Sequence, residues 1–157
     1  MAESESWRGK VGRMNQEEID AFLAGSPLMR LACLKEDGKP YIVPVWFEWD
    51  GKDFWVIPRK KSIWAQYLKN QKFCAATIDE QQIPLRKVLV EGEAELVEEP
   101  NTGGKWVPIA TRMSVRYLGE HGPDYLEPTM TDPRWLFRIH PSKLTTWQGV
   151  AWAKRYR

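Results

Sequence analysis

The sequence predicts a mostly β domain of the α+β class, with about six antiparallel strands forming a small barrel and three helices around it. Three observations lead there. Apolar runs are joined by Asp37-Gly38 and Asp50-Gly51, dipeptides suited to a tight hairpin turn. Residues 86–96 alternate strictly, with Arg86, Val88, Val90, Gly92, Ala94 and Leu96 on one face and Lys87, Leu89, Glu91, Glu93 and Glu95 on the other. That is the period of a long strand with one wet face. Strands follow one another through hairpin turns, which favours a barrel over a βαβ sheet.

In chain order, Asn15 is placed as an N-cap, Glu18 completes a capping box, Met14 and Ile19 are spaced for a hydrophobic staple, and Gly25 stops the helix. Its buried stripe is Ile19, Phe22 and Leu23. The apolar runs that follow, between residues 28 and 58, read as a three-stranded meander. A second helix spans Ser62 to Asn70 with Ile63, Trp64, Tyr67 and Leu68 on one side, and "FCAATID" is the next strand. The third helix lies within "NTGGKWVPIATRMSVRYLG"; Pro108 fits its first turn, Gly119 ends it, and Trp106, Ile109, Met113 and Tyr117 form its stripe. The closing segment "RWLFRIHPSKLTTWQGVAW" reads as one or two strands, broken at Pro141.

The 157 residues suffice for one core without staples, so residues 14–157 are expected as a single domain and residues 1–13 as a disordered terminus. No apolar run reaches the roughly 18 residues of a membrane span, and the polar start "MAESESWRGK" lacks the apolar stretch of a secretory signal. The expected place is the cytoplasm. Cys33 and Cys74 lie in apolar strands without metal-like spacing and read as free thiols. A net charge of +2 gives no ground for a nucleic-acid or membrane partner. Nine tryptophans exceed what so small a core needs, so some are expected at a ligand cavity or subunit interface.

In "VIPRKKSIWAQYL", Arg59, Lys60 and Lys61 stand where a strand hands over to a helix capped by Ser62. A helix start is already positive, so each added cation there costs about 0.3–1 kcal/mol. A bound anion, and a phosphate above all, reverses that sign. The other reading is a solvated basic loop whose side chains reach away from the helix end.

The order of hairpin "LACLKEDGKPYIVPVWFEWDGKDFWVI", basic turn "PRKKS", helix "IWAQYLKNQKF", strand "CAATID" and long strand "RKVLVEGEAELVEE" resembles the flavin-binding split-barrel superfamily of pyridoxamine 5′-phosphate oxidases. The likeness extends from about residue 14 to residue 149. It implies a six-stranded split barrel, a homodimer with two equivalent sites, and FMN as cofactor, with deazaflavin coenzyme F-420 as the alternative. It places Val43, Pro44, Val45 and Trp46 along the ring system, and Pro58, Arg59, Lys60, Lys61, Ser62 and Trp64 at the phosphate. Arg86 would approach from the long strand. Independently of the likeness, Trp147 and Trp152 are expected to line a ligand cavity or a subunit interface, as aromatic side chains do at both. Split-barrel proteins of this kind usually carry Arg-Lys after the serine; here Ile63 and Trp64 stand instead, leaving the charge to the preceding turn. Pro44 suits a ligand edge or an edge strand equally, and Arg86 a phosphate or a carboxylate partner.

No catalytic residue is assigned. Two histidines, His121 and His140, exclude a three-histidine metal site, and no metal ligands are expected. There is no nucleophile elbow or P-loop. The functional expectation is hydride transfer between the cofactor and a small conjugated organic substrate. Its alternative is a non-enzymatic binder of flavin or haem on the same fold, and a plain interaction module that binds an acidic group is the further rival.

Overall fold

The computed structural model describes residues 3–157, with side chains from Ser6 onward. The expected disordered terminus includes residues 1 and 2, which lie outside the described residues. Glu3–Arg8 forms a 3-10 turn, and Gly12 bridges Gln148.

Seven strands form one antiparallel sheet: β1 (Met29–Leu34), β2 (Pro40–Val45), β3 (Glu48–Trp49), β4 (Phe54–Val56), β5 (Phe73–Asp79), β6 (Lys87–Asn101) and β7 (Arg134–Trp147), in the order β2-β1-β5-β6-β7-β4-β3. Residues from both ends of that order share one core: Val45 and Leu31 with Phe54, Val56 and Phe137. The sheet therefore wraps around it, and the mostly β antiparallel architecture is as expected.

The expected three-stranded meander is not what forms. Its middle run divides at Trp46-Phe47, so β2 pairs with β1 while β3 pairs with β4 at the other end of the sheet. The cause is two large aromatics with opposite destinations. Phe47 is fully buried in the main core, edge-on to Phe54, whereas Trp46 joins a second cluster and stacks on Tyr117 at 4.8 Å and 9°. This division raises the expected six strands to seven.

Helix α1 (Gln16–Leu23) carries the full capping box and buries Ile19, Phe22 and Leu23, as its spacing requires. Helix α2 (Ile63–Asn70) buries Trp64, Ala65 and Leu68; Ile63, expected inside, is half exposed. Helix α3 (Trp106–Leu118) ends at Gly119, whose φ of 61° suits glycine, and a short α4 (Gly122–Leu126), not foreseen, follows. Trp106, Ile109 and Met113 of α3 and Leu126 of α4 close the second cluster over Leu136 of β7.

Strand β7 does not break at Pro141. Pro141 pairs with Gly92, and the register shifts by one residue between Glu91 and Gly92. Such a bulge accommodates a residue that has no N–H to donate. The approach is close: a Cβ at position 92 would lie 2.5 Å from the His140 carbonyl oxygen. Gly92→Ala is expected to cost about 1–3 kcal/mol in urea unfolding; a stability equal to wild type would contradict this packing.

Candidate functional site

The basic turn is fastened to the start of β7. Lys60 N–H donates to the Pro133 carbonyl at 2.9 Å, Trp135 N–H to the Pro58 carbonyl at 3.0 Å, and the Trp135 indole N–H to the Lys60 carbonyl at 3.2 Å. Arg59 and Arg134 thereby become bridge partners across the junction.

A pocket of about 320 Å³ opens beside them, at the seam of the two cores. Seven of the expected residues line it: Pro44, Val45, Trp46, Pro58, Arg59, Ser62 and Trp64. The hydroxyl of Ser62 makes no cap bond to α2 and faces no other demand from the helix. Arg59 is half exposed and paired with Asp132 at 2.6 Å. An exposed pair of that kind is worth at most about 1 kcal/mol, so a phosphate competes with it readily. Pro44 lies on β2, at the end of the sheet order, which accounts for it as an edge-strand proline.

The other expected residues stand apart. Val43 packs against the main core, and Lys60 and Lys61 point to solvent. Arg86 is not brought to the pocket: its guanidinium makes two bonds to Glu80, at 2.7 and 2.9 Å, and lies 4.9 Å over the Phe22 ring. The carboxylate partner left open by the sequence is the one that forms. Trp147 lies at the far end of β7 and lines a different pocket.

Arg134 is the residue that sequence reasoning missed. It is 4% exposed and lines the pocket; Nη2 donates to Thr129 Oγ1 at 2.7 Å, and the guanidinium lies 4.6 Å over Trp106. Its Nη1 is buried without any hydrogen-bond partner. Burial first, and the Arg59 charge second, pull its pKa below the ordinary arginine value. Such an orphan nitrogen costs several kcal/mol unless something negative meets it. In the sequence it was one more arginine at a strand start. Met113, Ser114, Tyr125 and Leu126, from the connection between β6 and β7, complete the wall.

The profile of the pyridoxamine 5′-phosphate oxidase family matches residues 16–148. The chain belongs to that family. No curated protein matches it. Among solved structures similar to this family member are an FAD-binding protein from Mesorhizobium loti (19% identity, TM-score 0.65, covering 90% of this chain and 98% of that one) and HutZ, the haem storage protein from Vibrio cholerae (22%, 0.64, 85% and 96%). An F-420 reductase is similar at 20% identity and a TM-score of 0.57, covering 80% and 94%. At these identities the likeness is one of fold.

A haem does not fit this oxidase-family pocket through an imidazole, because neither histidine lines it. His121 is exposed beside Asp124. Both ring nitrogens of His140 are engaged, Nδ1 with the buried Asp53 at 2.9 Å and Nε2 with Glu95 at 2.6 Å. Glu95, and then Asp53, raise the His140 pKa above its ordinary value of 6.5. The bridge therefore stabilises the fold fully below about pH 6.5 and fades as pH rises through the folded-state value. His140→Gln is expected to cost more stability at about pH 6 than at about pH 9, as urea titrations at the two values will show; an equal cost would remove the bridge's charge from the account.

Proposed function

We propose that this chain is a flavin-dependent oxidoreductase of the cytoplasm, taking FMN, or alternatively deazaflavin coenzyme F-420, and passing hydride between it and a small conjugated organic substrate. The observation that carries the reading is the buried, partnerless Nη1 of Arg134 at the wall of a pocket that also holds Arg59, Ser62 and the start of α2. The family and the flavin-binding and F-420 neighbours give it context.

The residues present fit a phosphorylated flavin. Arg134 and Arg59 would hold the phosphate charge, and Ser62 with the first N–H groups of α2 would donate to its oxygens. When bound, the flavin supplies the redox chemistry, which no side chain has to provide. The chain's own task is placement and exclusion of water. Trp46, stiffened by its stack on Tyr117, and Pro44 would meet the ring from the end of β2, with Met113 and Leu126 also lining the pocket. Tyr117 is itself fixed, its hydroxyl donating to the Pro27 carbonyl at 2.8 Å. The proposal includes a homodimer; exposed Ile42 and Phe73 on the sheet supply apolar surface for it.

Titration of the purified chain with FMN and with F-420, followed by fluorescence, tests the reading. One of the two is expected to bind, and Arg134→Gln to weaken it about ten- to a hundredfold, the worth of a charge-assisted hydrogen bond. Because the substitution removes an uncompensated buried cation, the apo protein should melt no lower. Lys60→Ala with Lys61→Ala should weaken binding less, since both side chains lie outside the pocket. Failure to bind either cofactor, or indifference to Arg134→Gln, sinks the proposal.

A further inference from the structure

We infer that a second pocket, at the opposite end of β7, binds a nucleotide-type ligand: two or more phosphate charges joined to a planar ring. The pocket has a volume of about 590 Å³ and lies between the approach to α1, the end of β7 and the C-terminal tail. Arg134 and Trp147 mark the two ends of this 14-residue strand. At about 3.3 Å per residue the strand path between them is on the order of 40 Å. The two pockets share no lining residue, so this site is separate from the one assigned to the flavin.

Its charge is one-sided. Arg13, Lys143, Lys154 and Arg155 line it, and no carboxylate does. Several surface cations elsewhere are paired, Arg30 with Asp79, Arg112 with Glu48 and Arg138 with Glu95, all at 2.8 Å, while Lys60 and Lys61 stand free in solvent. Among the described residues, Arg13, Lys154 and Arg155 make no ion pair, and Lys143 has only Glu91 at 3.9 Å with both side chains two-thirds exposed. What sets these four apart is that they line a single concavity. Cations around one concavity repel each other and draw in a polyanion.

Beside the cations the lining holds Thr145 and Thr146 and an apolar part. Trp147 is held by its indole N–H, which donates to the Ala151 carbonyl at 2.9 Å, and Met14, Ile19 and Leu144 line the same pocket. Inorganic phosphate alone would leave that surface uncovered. A base or other planar ring covers it, while the phosphates meet the arginines and lysines.

The test is calorimetric titration of the full chain with ADP as probe, beside adenosine and pyrophosphate. ADP is expected to bind more tightly than either part. Arg13→Gln with Arg155→Gln should weaken ADP about tenfold or more, with the melting temperature unchanged because both side chains lie at the surface. Arg134→Gln should leave ADP affinity as in wild type. Absence of ADP binding, an unaffected double variant, or loss of ADP on Arg134→Gln would each overturn the assignment. A single-stranded oligonucleotide that outcompetes ADP would overturn it in favour of a polymeric partner.

Discussion

The architecture of the first pocket depends on three hydrogen bonds that join the turn after β4 to the entry of β7. They hold two arginines side by side against their mutual repulsion. Without that junction Arg59 would be an ordinary surface cation and Arg134 a strand-end residue free to swing into water. Two backbone bonds and the Trp135 indole supply the constraint, so the identity of the side chains at Lys60 and Pro133 matters little to it. What the side chains add is charge, in a place where part of it is removed from solvent.

Removal from solvent is uneven, and the unevenness separates roles. Arg59 keeps contact with water and with Asp132; Arg134 has a hydroxyl, an indole face and one unanswered nitrogen. A group in the first state is inexpensive to recruit and inexpensive to lose. One in the second state favours whichever form of the molecule brings an anion to it. Lys60 and Lys61, exposed and outside the pocket, add only their field to this corner.

Much of the fold was legible because its signals are local. The capping box at Asn15 and Glu18 and the alternation of β6 all appear as spaced. So does the Asp50-Gly51 turn, where Asp50 Oδ1 accepts from the N–H groups of Lys52 and Asp53. The departures are matters of partner choice between distant segments. Nothing within "PVWFEW" says that Phe47 enters one core and Trp46 another, and nothing near Pro141 announces a bulge at Gly92 to receive it. The site divides in the same way. The Pro58–Ser62 corner and the Pro44–Trp46 wall could be read from neighbours in sequence, but Arg134 gains its meaning from a turn far upstream. Arg86 was misplaced because Glu80, its actual partner, lies across a loop containing Pro84.

The wall facing the Arg59–Arg134 corner comes almost wholly from one connection, the α3–α4 segment between β6 and β7, while the barrel strands and α2 supply the cationic end. The same connection also steadies the corner, since Trp106 and Thr129 both hold the Arg134 guanidinium. Drift at the pocket-facing positions of the connection that spares Trp106, Tyr117 and Thr129 can redraw the wall while the barrel and its corner stay as they are, a modular route by which one scaffold diversifies.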